Sequence, residues 1–189
     1  MKTLTFYGPF PLASTDVDVL GSCPYREQKG LYLWCVPTDE HRLVITYIGE
    51  TGTSFYQRTK EHVINALGGN YEICDPTALR AGITKIEWTG LWRKGTRDKM
   101  PDFIRRLPEL VPTIQGYLEL HKVFVAPIDT DPRTRKRIEG ELASIIRATT
   151  PCLISPDVRY VKRNYLEEAI PFAISSEQPI WGLPKELAA

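Results

Sequence analysis

The sequence predicts one α/β domain, with a small mixed or antiparallel sheet of about three central strands flanked by helices. Three observations carry this expectation. Two consecutive β-rich runs, 30–36 and 42–48, flank the turn-like Pro37-Thr38-Asp39-Glu40 and read as a β-hairpin. A helix follows at once: Ser54 with Gln57 three residues on forms a capping box, and Gly68-Gly69 ends the run that begins at Phe55. A second strand–helix pair lies downstream, where Leu118 to Ile128 is β-rich and Asp131-Pro132 supplies the N-cap and first residue of a helix reaching about Ala148.

Length and composition agree with this. The chain has 189 residues and a mass of 21.5 kDa, the size of one domain, and its 42% hydrophobic and 25% charged residues suit a globular protein with a real core. Lys and Arg number 24 against 23 Asp and Glu, so the formal net charge is +1. That excludes a globally basic nucleic-acid coat and an acidic solvating protein, and any polyanion site must be a local patch. No apolar run approaches the ~18 residues of a membrane span, and the first residues lack the features of a signal peptide, so a soluble cytoplasmic protein is expected. The cysteines, Cys23, Cys35, Cys74 and Cys152, are too scattered for a zinc ribbon or a disulfide framework and read as reduced thiols.

Other segments are less regular. Residues 1–29 offer a short strand at Leu4 to Tyr7. Between 70 and 117, Pro76, Pro101, Pro108 and Pro112 interrupt the periodicity, leaving a strand at Thr84 to Trp92 and a helical turn or two at Asp102 to Leu107. This stretch reads as an insertion between core segments 28–69 and 118–150. In the helix after Asp131, the apolar stripe is Ile138, Leu142, Ile145 and Ile146, while Arg133, Arg135, Lys136 and Arg137 crowd the first turns against the helix dipole. The C-terminal extension, 151–189, is punctuated by five prolines and reads as a wrapping tail with one helical candidate, Tyr165 to Ala169.

The chemistry sits in the hairpin and its helix: Gly30-Leu31-Tyr32, then Tyr47-Ile48-Gly49, then Arg58 and His62 one turn apart. On these residues the chain resembles the GIY-YIG nuclease family, whose core carries the same two tripeptides on adjacent strands and an Arg with a His or Tyr on the next helix. The resemblance implies a metal-dependent endonuclease hydrolysing phosphodiester bonds in DNA. It implies that Tyr32 accepts the proton of the attacking water, that Tyr47 and His62 position water or phosphate, that Gly49 belongs to the substrate site, and that a Glu on a later helix binds Mg²⁺ or Mn²⁺. Glu139 and Glu141 both border the apolar stripe, so periodicity does not choose between them. The family pattern, apolar just before the Glu and again three residues after, favours Glu139. The chain departs from that pattern in three ways. There are 76 residues between His62 and Glu139, Glu50 stands where many members carry Lys or Gln, and the Asn that commonly follows the last helix is missing.

These residue types suit the reaction on general grounds. Phosphodiester hydrolysis needs a deprotonated water, a cation on the phosphate oxygens and stabilisation of the leaving oxygen. Mg²⁺ keeps several waters and takes only one or two protein carboxylates, and Arg58 can grip phosphate bidentately. From Lys85 to Arg106 seven positive residues face three negative ones, with Trp88 and Trp92 interleaved. Arg93, Lys94, Arg97 and Lys99 are therefore candidate DNA contacts. The alternative is a catalytically inactive nucleic-acid-binding module on the same fold.

Overall fold

The computed structural model describes residues 2–14, 16, 18–92, 98–149 and 167–189. In chain order the elements are β1 (Lys2–Pro11), β2 (Gly30–Pro37), β3 (Leu43–Thr51), α1 (Phe55–Leu67), β4 (Glu72–Cys74), α2 (Pro76–Arg80), β5 (Ile86–Thr89), α3 (Met100–Leu120), β6 (Lys122–Pro127), α4 (Pro132–Thr149), β7 (Pro171–Ser176) and β8 (Glu186–Ala188). This is an α/β protein. Six strands form one mixed sheet in the order β3-β2-β6-β1-β7-β8, and β4 pairs with β5 in a separate ribbon. Every pairing in the large sheet is antiparallel except β1 with β7. Beyond β7 the chain returns to the far edge, where the Trp181 N–H donates to the Leu43 carbonyl at 2.9 Å and Trp181 bridges Val44. The sheet thus curls into a half-barrel.

Period-two alternation explains why both faces are covered. On β2, Leu31, Leu33 and Cys35 point one way into an aliphatic core built with Ile138, Leu142, Ala143 and Ile146 of α4. Tyr32, Trp34 and Val36 point the other way, into a core shared with Phe55 and Ala66 of α1 and with Leu110, Ile114 and Leu118 of α3. The hairpin expected from sequence is β2–β3, paired from Gly30 opposite Thr51 to Pro37 opposite Leu43 with a register shift between Trp34 and Cys35. Helix α1 begins at its expected cap, the Ser54 hydroxyl accepting the Gln57 N–H at 3.1 Å.

Several expectations are corrected. The sheet has six strands rather than about three, because β1 is longer than the Leu4–Tyr7 run and because β7 and β8 lie in the stretch read as a wrapping tail. Helix α3 spans 21 residues, far beyond Asp102–Leu107, and it runs through Pro108 and Pro112. Both prolines are on its exposed face, as are Ile104 and Pro108 whose carbonyls they leave unbonded, so water satisfies what the ring removes. The opposite face buries Phe103, Leu110, Ile114 and Tyr117, which holds the helix together by packing. Leu118 to Leu120 belong to this helix, and β6 starts only at Lys122. Of the helical candidate Tyr165–Ala169, the first two residues lie outside the described residues and the remainder is irregular. Among the described residues, no helix is long and apolar enough to cross a membrane.

Candidate active site

The two tripeptides meet across the hairpin. Tyr32 lies opposite Gly49 and Trp34 opposite Tyr47, all on the face that α1 covers. A Cβ at Gly49 would stand 2.4 Å from the Tyr32 hydroxyl oxygen, so only glycine leaves room for the phenol over the neighbouring strand. Gly30, at φ +155°, is as tightly held, since a Cβ there would lie 2.2 Å from the Ala126 carbonyl oxygen. Gly49, expected at the substrate site, is buried and makes space for Tyr32.

Helix α1 supplies the next residues from one face, because Arg58 and His62 are a turn apart. The Tyr32 hydroxyl is 2.7 Å from His62 Nε2, and Arg58 Nε donates to it at 3.4 Å. Arg58 also pairs with Glu61 at 3.1 Å and keeps about a third of its side chain in solvent. Tyr32 and His62 are enclosed, at 2% and 3% exposure. Around the His62 ring stand Trp34, Tyr47 and Tyr71, with centroids at 5.1, 5.5 and 5.7 Å.

Glu139 lies on α4, against the opposite face, beside the Glu50 backbone of β3. Glu50 marks the crossing: its carboxylate accepts from Arg135 Nε at 3.1 Å, and Arg135 and Glu139 are i, i+4 neighbours on α4. The Glu139 charge acts on Tyr47, and that of Arg58 acts on Glu139. The basic cluster at the start of α4 is therefore not simply a solvated opponent of the dipole. Arg135 is 3% exposed and paired with Glu50, and buried Arg137 donates to the Glu168 carbonyl at 2.8 Å. Sequence reading missed the pairing because its partners lie 85 residues apart.

Electrostatics follow from this enclosure. Burial, reinforced by Tyr47, pushes the Tyr32 phenol well above its ordinary pKa, with the Arg58 guanidinium opposing. Tyr47 is raised by burial and then by the Glu139 charge. His62 is lowered to about 3 by burial and by Arg58, so at neutral pH it is an uncharged imidazole with one N–H. Glu139 is raised to about 7, first by burial and then by the Glu50 carboxylate, against the Glu50 backbone, Lys136 and Arg58.

Among the described residues no group of three His, Cys, Asp or Glu side chains gathers to hold a metal. A hexahydrated-type cation does not need three, and a carboxylate held above its usual range by burial and a second carboxylate is one that a dication would stabilise as the anion. Glu139 is the carboxylate that would hold Mg²⁺ or Mn²⁺.

Only one of the four candidate DNA contacts falls among the described residues. Arg93, Lys94 and Arg97 lie outside the described residues. Lys99 is committed within the fold, where its ammonium donates to the Thr89 hydroxyl at 2.6 Å and the Gly90 carbonyl at 3.2 Å. Trp88 is core, its indole N–H donating to the Gly69 carbonyl at 2.7 Å, whereas Trp92 is 61% exposed and edge-on to Tyr71.

Tyr71 is the site neighbour that sequence reading overlooked. Its hydroxyl is 3.0 Å from His62 Nδ1. A signal was present, because the Gly68-Gly69 turn reverses the chain, with the Asn70 N–H bonded to the Asn65 carbonyl, and so returns the next residue to the last turns of α1. Comparison with protein-family models, curated proteins and solved structures finds no match to this chain.

Proposed function

We propose that the chain is a GIY-YIG-type endonuclease that hydrolyses phosphodiester bonds in DNA with Mg²⁺ or Mn²⁺. The observation that carries the reading is the meeting of two strand tyrosines with a helix Arg/His pair, Tyr32, Arg58 and His62 lying within hydrogen-bonding distance, while the charge of a carboxylate on a third element, Glu139, acts on Tyr47. Bound to Glu139, with water and phosphate oxygens completing its shell, the cation would supply charge on the phosphate and acidify water. Arg58 binds the phosphate, exchanging its Glu61 partner for phosphate oxygens in a charge-assisted fork. Tyr32 accepts the water proton as the water oxygen bonds to phosphorus and the ester P–O bond breaks, its electron pair leaving on the departing oxygen. The Arg58 guanidinium is the fixed charge that favours the required Tyr32 anion.

A second reading, a nucleic-acid-binding module without cleavage, draws on the burial that keeps Tyr32 protonated. One experiment separates them. Pure protein is incubated with plasmid, branched DNA and single-stranded DNA, with and without Mg²⁺ or Mn²⁺. Metal-dependent cuts that Glu139→Gln abolishes support the nuclease. Gel retardation with no cuts under any metal supports the module.

A further inference from the structure

His62 sits between two phenols, and its single proton decides what each can do. At Nε2 it faces the Tyr32 hydroxyl at 2.7 Å, and at Nδ1 the Tyr71 hydroxyl at 3.0 Å. One nitrogen must donate and the other accept. The partners at both ends of this trio bear on the choice. Asn70 Nδ2 donates to Asn65 Oδ1 at 2.9 Å, which turns the amide N–H of Asn65 toward its other neighbour, the Tyr71 oxygen. Tyr71 thus receives from Asn65 and has its own hydrogen to give. At the far end the Tyr32 oxygen receives Arg58 Nε–H, which leaves it a second lone pair for one further donor.

We propose that Tyr71 is a positioning residue that donates to His62 Nδ1, fixes the Nε2–H tautomer, and makes His62 a hydrogen-bond donor to Tyr32 rather than its base. The chain of donors then runs one way, Asn70 to Asn65 to Tyr71 to His62 to Tyr32. Two N–H groups, from His62 and Arg58, converge on the Tyr32 oxygen. Donors aimed at a phenol oxygen favour its anion. The burial of His62, which keeps it uncharged, makes the tautomer rather than the charge the controlling variable. The catalytic consequence rests on the nuclease reading; the tautomer does not.

The test has two arms. Long-range ¹H–¹⁵N correlation spectra of the ¹⁵N-labelled protein report which His62 nitrogen carries the proton, and a His62→Gln variant identifies its signals among the three histidines. The expected result is Nε2–H in the native protein and loss of that fixed tautomer in Tyr71→Phe, with the thermal unfolding midpoint little changed. In the cleavage arm Tyr71→Phe lowers kcat about tenfold, the effect of misdirecting one hydrogen bond, with DNA affinity unchanged. An Nδ1–H tautomer in the native protein overturns the proposal, and so does a Tyr71→Phe variant that keeps the Nε2–H tautomer. If the native protein cuts no DNA, the nuclease reading fails, and the spectra alone uphold or overturn the role of Tyr71.

Discussion

The two faces of the large sheet are built from different chemistry. Against α4, the core holds leucine, isoleucine, phenylalanine, alanine and one cysteine, without a tyrosine or tryptophan. Against α1 and α3, the same strands present Tyr32 and Trp34, with Trp88 and Tyr117 packed nearby and His62 and His121 enclosed. Each residue of β2 alternates between these worlds, so consecutive residues have separate jobs: Leu31 and Leu33 hold the helix, and Tyr32 serves the site. The difference teaches where the site can be. It lies toward β3, where Glu50 pairs with Arg135 of α4 and the Glu139 charge acts on Tyr47.

If the faces are functionally separate, changes on one should leave the other's property intact. The largest effect is expected from Tyr32→Phe, which removes only the hydroxyl: cleavage falls about a thousandfold, within the range of a lost general base, while urea unfolding shows a loss of about 1–3 kcal/mol for the unpaired His62 nitrogen. Full cleavage by this variant would remove Tyr32 from the chemistry. Next comes Leu142→Ala on α4, which opens a cavity in the aliphatic face and costs about 3 kcal/mol by urea titration, with DNA affinity preserved at temperatures where the protein stays folded.

Smaller is the pH-dependent effect of Glu139. Its folded pKa, about 7, lies above the model-peptide value, so the folded state binds the proton more tightly than the unfolded chain. The resulting penalty is absent below pH ~4.3, develops as pH rises, and is complete above the folded pKa. Glu139→Gln should therefore gain stability relative to the native chain at pH 8 and not at pH 4, and Mg²⁺ should narrow the gap at pH 8. A gap independent of pH would remove Glu139 from the strained environment described. The smallest change is expected from Ile104→Ser on the exposed face of α3, within ~0.5 kcal/mol by the same titration.

Local patterns made part of this legible. The hairpin, the Ser54 cap and the Asp131 cap, whose carboxylate accepts the Thr134 N–H at 2.9 Å, are set by residues within a few positions of one another. The juxtaposition of Tyr32, Tyr47, Arg58 and His62 follows from the same short stretch. What stayed hidden was set at a distance. Helix α3 runs through two prolines because a buried face compensates, which no local propensity scale registers. Strand β7 reads as tail because its partner is at the other end of the chain, residues 2–6 lying beside 172–176. Arg135 reads as surface charge until Glu50 is placed beside it.

The parallel pairing of β1 with β7 also orders events during synthesis. The hairpin, α1 and β6 can associate as soon as they leave the ribosome, and β1 can join β6, but the outer side of β1 stays bare until the last strands emerge. That side is an unpaired edge bearing Leu4 and Phe6, both destined for full burial, which is the kind of surface that recruits other nascent chains. A chain stopped before Pro171 should accordingly collect in the insoluble fraction on expression, even though the residues grouped around His62 all precede the stop.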